Sequence, residues 1–96
     1  MTAGLILAFD SVPRLAPHAR LRRDAVRGVW AVQAPERTFM LDDTAHAILA
    51  HCDGATTLNG IVDRLCGAFP DAPRATIAAD VGAMLQDLAD KGVIIA

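Results

Sequence analysis

The chain has 96 residues, of which 53% are hydrophobic and 4% are aromatic. This length allows one small domain and excludes a second, and the core must consist mainly of aliphatic and alanine side chains. The net charge of −2 is unevenly spread: residues 1–27 hold five Arg and two Asp (+3), and residues 28–96 hold four Lys or Arg and nine Asp or Glu (−5). Basic character is therefore confined to the first quarter of the chain.

The N-terminal segment contains a short apolar run, residues 4–9. It lacks the preceding positive charge and the length of a signal peptide, and it is far shorter than the ~20 residues that span a bilayer. We therefore expect a soluble, cytoplasmic protein without a membrane partner. Residues 1–11 are predicted to form an apolar extension of a single domain over residues 12–96.

Two strands are predicted on either side of residues 25–28. The flanking segments read ARLRRD and VWAVQA, and Gly28 can supply the positive φ that a hairpin turn often needs. Pro35 then ends this pairing, because it has no N–H to donate. A hairpin at the start of the domain is expected.

A third, short strand is predicted over residues 37–41. Its residues alternate, so we expect Phe39 and Leu41 to point into the core and Thr38 and Met40 to point away from it. Pro35 bounds the strand on one side and a helix cap bounds it on the other.

Three helices are predicted after this strand, at about residues 43–52, 58–69 and 73–91. Asp42 and Thr57 are suitable N-caps, and Gly54 is expected to close the first helix. Neither the sheet nor the helices could bury their apolar faces alone. The expected fold class is α+β: a three-stranded antiparallel sheet followed by a three-helix bundle, resembling a winged-helix arrangement with its hairpin at the front.

Catalytic and metal sites find little support in the residue pattern. A zinc site needs three or four converging ligands, whereas His46 and Cys52 lie on different faces of a helix and His51 is expected at the surface. Cys66 has no histidine near it in sequence, and both cysteines are expected to be free thiols at apolar helix positions. Asp80 alone is more typical of a structural hydrogen-bonding group. We expect no enzyme activity.

A nucleic-acid-binding module is the alternative function. The hairpin arginines favour it, but the second and third helices are neutral to acidic, so phosphates would be repelled. Direct binding of a quinone also has little support, because the chain offers no aromatic stack and no convergent basic pocket. Binding of nucleic acid is not expected.

An exposed strand edge suggests another kind of site. If residues 37–41 form the edge of the sheet, their free N–H and C=O groups can template an added peptide strand. The third helix also carries a strip of small side chains, which either packs against a neighbour or lets a foreign backbone approach closely. The strip comprises Ala75, Ala78, Ala79, Gly82, Ala83 and Gln86.

Four segments together resemble a known family: VPRLAPHARLRRDAVRG, APERTFMLDDTAHAIL, HCDGATTLNGIVDRL and IAADVGAMLQDLADKGVI. They are similar to the pyrroloquinoline quinone (PQQ) biosynthesis D proteins (PqqD), founders of the peptide-recognition elements of pathways that modify ribosomally made peptides. The likeness runs from about residue 12 to residue 95. Its most specific parts are residues 35–37, 52–54 and 80–81, whereas VWAVQ is less aliphatic than the family pattern.

The resemblance implies a non-catalytic protein that needs no cofactor. It would bind a precursor peptide and present it to a radical S-adenosylmethionine (radical SAM) enzyme, which crosslinks a Glu and a Tyr of that peptide. The peptide would add as a strand beside residues 37–41, over a groove lined by the third helix. The strand edge, or an exchange of N-terminal runs, also offers a route to a homodimer. The residues implied for peptide binding are Arg37, Thr38, Phe39, Met40, Leu41, Ile77, Asp80, Val81, Met84 and Leu85.

Overall fold

The computed structural model describes residues 6–96, which form an α+β fold with two small sheets and three helices. Strands β2, β3 and β4 make an antiparallel sheet in that order, and β1 pairs with β5 in the second sheet. The predicted fold class is confirmed, whereas the pairing of β1 with β5 was not predicted. In chain order the elements are β1 (Arg14–Leu15), β2 (Arg20–Asp24), β3 (Val29–Gln33), β4 (Thr38–Leu41), α1 (Asp43–Ala50), α2 (Leu58–Ala68), α3 (Arg74–Asp90) and β5 (Ile94–Ile95).

The first hairpin joins β2 to β3 through residues 25–28. The Asp24 carboxylate accepts hydrogen bonds from the N–H groups of Val26 and Arg27, both at 3.0 Å. Gly28 has a φ of +70°, in the left-handed region that favours glycine, and its N–H donates to the Asp24 carbonyl at 2.8 Å. The predicted hairpin and the role of its glycine are confirmed.

The second hairpin joins β3 to β4 around Pro35 and Glu36. The Ala34 N–H donates to the Arg37 carbonyl at 2.8 Å, and the Arg37 N–H donates to the Ala34 carbonyl at 3.3 Å. A proline suits the first corner of such a turn because its φ is fixed and no N–H is required there. Arg37 therefore closes the turn, and β4 begins one residue later than predicted.

Side-chain caps fix where the first two helices begin. The Asp42 carboxylate accepts a hydrogen bond from the Ala45 N–H at 2.7 Å, and the Thr57 hydroxyl accepts one from the Gly60 N–H at 3.0 Å. Both predicted N-caps are confirmed, and each typically stabilises a protein by about 1 kcal/mol. Because Asp42 directly follows β4, its cap also fixes the end of that strand.

The prediction that Gly54 closes α1 is wrong. The helix ends at Ala50 with His51 as its C-cap, three residues before the glycine. Gly54 instead has a φ of +76° in the following loop, where an added Cβ would lie 3.3 Å from the Arg14 Cδ. The glycine, which has no Cβ, therefore allows this loop to lie close to β1.

The core lies between the inner face of the β2–β4 sheet and the three helices. Phe39 from β4 is half-buried against it, as are Trp30 and Leu21. The described part of the chain contains no helix with the length and apolarity needed to cross a bilayer. The buried core residues are Ala19, Val32, Leu41, Ile48, Leu49, Leu58, Ile61, Val62, Leu65, Ile77, Val81, Leu85, Leu88, Val93 and Ile94.

Residues 7–11 bind along α2 and α3. The Leu58 N–H donates to the Ser11 carbonyl at 2.8 Å, and the Asn59 N–H donates to the Phe9 carbonyl at 2.9 Å. Further along, the Leu7 N–H donates to the Gln86 Oε1 at 2.9 Å. We call residues 7–11 the N-terminal strap. Residues 1–5 of the predicted extension lie outside the described residues.

Candidate functional site

Strand β4 forms one edge of its sheet and, within residues 6–96, pairs only with β3. The turn described above fixes which of its backbone groups face outward. Antiparallel strands alternate between hydrogen-bonded and non-hydrogen-bonded pairs, and Arg37 is hydrogen-bonded across the turn. Phe39 and Leu41 are therefore bonded to β3 as well. The N–H and C=O groups of Thr38 and Met40 point to the free edge.

The side chains of β4 also alternate, between the core side and the outer side of the sheet. Leu41 is buried and Phe39 is half-buried on the core side, whereas Thr38 and Met40 are exposed on the outer side. Both predicted orientations are confirmed. Met40 is 46% exposed, so a large apolar side chain is open to solvent on the outer side of β4.

A groove of about 580 Å³ lies between α1 and α3, just beyond the end of β4. Its apolar surface comes from alanines, an isoleucine and the half-buried Met84, and three carboxylates lie along it. The small side chains keep the groove open for another chain. The residues that line it are Asp42, Thr44, Ala45, Ile48, Asp80, Ala83, Met84 and Asp87.

A second hollow, of about 340 Å³, lies beside the β3–β4 turn and includes Phe39 and Lys91 among its walls. The Lys91 ammonium lies 5.5 Å from the centre of the Phe39 ring and 2.7 Å from the Asp87 carboxylate. Because Lys91 lines this hollow and Asp87 lines the groove, their ion pair stands between the two. Together the hollows run along β4 from its turn to its cap.

The three carboxylates of the groove differ in their partners. Asp42 accepts the capping hydrogen bond of α1, and Asp87 pairs with Lys91. Asp80 is exposed and makes no hydrogen bond or ion pair with the described residues. Asp80 is therefore available to a guest.

The residues predicted on α3 divide into two groups. Asp80 and Met84 line the groove, as expected for direct contact. Ile77, Val81 and Leu85 are 8%, 1% and 0% exposed and belong to the core. These three support the groove from beneath, and their side chains are not accessible on its surface.

Sequence reasoning did not place several residues of the two hollows, namely Ala45, Ile48 and Asp87 of the groove and Lys91 of the hollow beside the turn. On α3 a signal existed: residues 80, 84, 87 and 91 follow the helical repeat of the core stripe, shifted by one position to its side. The contribution of α1 depends on the packing of two helices far apart in sequence, which no local pattern contains.

The small strip predicted on α3 lies on the opposite flank of the helix from the groove, apart from Ala83. Phe9 of the N-terminal strap shares a hollow with Ala75 and Ala78, and Leu7 is bonded to Gln86. The strip therefore receives a backbone of its own chain. The sequence predicted that another segment approaches the strip closely, but it did not predict that this segment is the N-terminal strap.

The remaining polar candidates are not brought together. His46 stacks on Trp30 with ring centres 4.4 Å apart, and no three potential metal ligands gather among residues 6–96. Burial, together with the nearby negative charge of Asp53, raises the pKa of the Cys52 thiol to about 12. A thiol with such a pKa is a poor nucleophile at neutral pH.

Comparison with known proteins decides the family. Residues 30–94 match the family model of coenzyme PQQ synthesis protein D (PqqD). The chain belongs to the PqqD family. A PqqD relative, the PqqA binding protein of Rhodopseudomonas palustris (strain BisB5), is 50% identical over 91 residues, which cover 95% of this chain and 88% of that protein.

Two solved PqqD structures share the fold. The solution NMR structure of the PqqD truncation of Methylobacterium extorquens PqqCD superposes with a TM-score of 0.79 at 43% identity, covering 94% of this chain and 95% of that one. That protein is described as a functional, stand-alone recognition element for ribosomally synthesized and post-translationally modified peptides (RiPPs). The crystal structure of PqqD from Xanthomonas campestris gives a TM-score of 0.55 at 35% identity, covering 90% of this chain and 94% of that one.

Proposed function

We propose that this PqqD protein binds a PqqA-type precursor peptide as an added strand on β4 and presents it to a radical SAM enzyme. Its relatives are named PqqA binding proteins. The single observation that carries the mechanism is the free edge of β4, where Thr38 and Met40 direct unused backbone groups outward. The protein itself performs no chemistry and holds no cofactor in this proposal.

Binding combines a general and a selective part. Backbone hydrogen bonds to Thr38 and Met40 can form with any peptide that adopts an extended conformation. Each contributes roughly 0.5–1.5 kcal/mol net to the binding free energy. Alternate side chains of the added strand point to the core side, where Phe39 and the groove of α3 receive them. The backbone bonds set the orientation of the peptide, and the groove selects its sequence.

The groove favours apolar side chains with neutral or basic neighbours. Its inner surface is built from Ala45, Ile48, Ala83 and Met84, while Asp80 stands exposed at its wall. A carboxylate of the peptide placed beside Asp80 would be repelled, and a Lys or Arg there would be attracted. Peptides that carry an acidic residue at this position should bind more weakly.

Titration with the synthetic precursor peptide tests the proposal. We expect one peptide per chain by calorimetry, with amide shift changes concentrated on residues 38–41 and on the groove side of α3. Binding without those shifts, or no binding by either method, would contradict it. A gel shift on duplex DNA, measured in parallel, separates peptide binding from the nucleic-acid alternative.

The free edge also offers a site for a second copy of the chain. Two β4 strands can pair antiparallel about a two-fold axis, and such a dimer would hide the groups that the peptide uses. The proposal therefore includes competition between self-association and peptide. Light scattering should show that added peptide lowers any dimer fraction.

A further inference from the structure

The β2–β4 sheet has a second face that no helix covers within residues 6–96. Helix α1 packs on the core side of β3 and β4, where Val32 and Leu41 are buried. The other side, here called the outer face, carries side chains from all three strands. Its residues are Arg20, Arg22, Asp24, Val29, Ala31, Gln33, Thr38 and Met40.

The register of the three strands places the side chains of the outer face in rows that run across the sheet. Arg22 lies opposite Ala31, which lies opposite Met40. Ala31 is only 5% exposed although no helix or strand of residues 6–96 lies above it, so the longer side chains on either side shield it. An arginine and a methionine, two residue types that are enriched at protein–protein interfaces, therefore flank a small apolar centre.

The charge of the outer face is positive and incompletely paired. The Arg22 Nη1 donates to the Gln33 Oε1 at 3.2 Å, and Arg27, beside the face, pairs with Asp24 at 3.9 Å. Neither Arg20 nor Arg22 forms an ion pair with the described residues. The remainder of the chain is acidic, with −5 over residues 28–96. This face is thus the place where an acidic partner is attracted and not repelled.

Strand addition would enlarge this same face. A peptide on β4 continues the sheet, so every second peptide side chain emerges next to Thr38 and Met40 on the outer side. A partner resting on the outer face would then touch the protein and the peptide at once. The side chains in the groove would be hidden from it.

We infer that the outer face is the docking surface for the acidic surface of the peptide-modifying enzyme. The inference rests on the proposed function and adds to it where the enzyme binds and which peptide residues it meets. Arg20 and Arg22 attract the enzyme, and Met40 lies where protein and peptide meet. The enzyme should bind the peptide-loaded protein more tightly than the empty one.

Charge reversal on the outer face tests the inference. The purified radical SAM enzyme should associate more slowly with the Arg22→Glu variant than with the wild type and bind it about tenfold more weakly. The affinity for this variant should also depend less on salt concentration. Arg20→Glu/Arg22→Glu should weaken it further. The matched control is Arg64→Glu, because Arg64 is an exposed arginine of α2 without an ion pair among the described residues. Peptide affinity is measured for every variant and should stay within twofold of the wild type.

The outcomes separate this inference from the proposed function. Unchanged enzyme affinity in the double variant, with peptide binding intact, overturns the docking surface and leaves peptide binding standing. A third outcome is that the wild type binds the enzyme but not the peptide, and that Arg22→Glu weakens enzyme binding. This outcome supports the docking surface and overturns the proposed function. Duplex DNA binding that Arg22→Glu abolishes assigns the outer face to nucleic acid and overturns the inference. Thermal unfolding with Trp30 fluorescence confirms that each variant is folded.

Discussion

The two edges of the β2–β4 sheet differ sharply in chemistry. Strand β2 reads RLRRD, in which four of five residues are charged, whereas β4 reads TFML and has no charge. Both present unused backbone groups. Charged side chains on an edge discourage other strands from pairing, so β2 is protected and β4 is not. The sheet therefore offers one edge to an added strand.

The hollows near the two edges differ in their lining and not in their volume. Strand β4 is bounded by the turn at Pro35 and by the helix cap at Asp42, and the α3 groove of about 580 Å³ begins just beyond its end. The outer edge of β2 also has a hollow of about 580 Å³, but two arginines of the strand itself, Arg20 and Arg22, help to line it. The charge on β2 and the fixed ends of β4 therefore distinguish the two edges.

The largest expected effect comes from removing one outward N–H of β4. Met40→Pro should weaken peptide binding about tenfold or more, because the proline ring replaces the donor and occupies the place of the incoming backbone. The pairing of β4 with β3 does not use this N–H, so stability should change little. Calorimetric titration with the precursor peptide measures the first effect, and thermal unfolding measures the second.

Arg23→Pro is the matched control on the other edge. Leu21 and Arg23 lie opposite Val32 and Trp30, whose backbone groups are bonded to β4, so the Arg23 N–H also faces outward. This variant should bind the peptide like the wild type. An equal loss of affinity in both proline variants would remove the distinction between the edges.

Filling the groove should have the next largest effect. Ala83→Trp places a large side chain where the groove is lined by a methyl group and should weaken peptide binding by about fivefold, since the added bulk displaces a peptide side chain. Ala79→Trp, one turn earlier on an exposed position of the same helix, should leave affinity unchanged. Fluorescence anisotropy of a labelled peptide compares the two.

Removing the cap at the end of β4 should act mainly on stability. Asp42→Ala and Thr57→Ala should each lower the free energy of unfolding by about 1 kcal/mol, because each leaves a helix N–H without its side-chain acceptor. Only Asp42→Ala should also change peptide affinity, by about twofold, since Asp42 lines the groove. Denaturant unfolding and peptide titration of both variants test this, and a change with Thr57→Ala alone would contradict it.

The smallest effect is expected from uncharging the β2 edge. Arg23→Val removes one of the four charges that protect it and should give weak self-association at high protein concentration. Sedimentation velocity should detect a dimer fraction above that of the wild type. A variant whose mass matches the wild type at every concentration would show that this arginine does not protect the edge.

Local patterns in the sequence predicted the parts of the site that local chemistry determines. The cap at Asp42, the turn glycine at Gly28 and the alternation of Phe39 and Met40 each depend on neighbours within a few residues. Local patterns could not predict which flank of α3 borders the groove and which contacts the N-terminal strap. The packing of distant segments decides whether Val81 faces the groove or the core, and it also decides that Phe9 lies on the small strip.

Backbone amide exchange of the protein, with and without the precursor peptide, tests the open edge most directly. If the peptide adds to β4, the Thr38 and Met40 amides exchange rapidly in the free protein and become protected in the complex, while those of Leu21 and Arg23 stay unchanged. If the peptide binds and the Thr38 and Met40 amides keep their free exchange rates, strand addition on β4 is wrong.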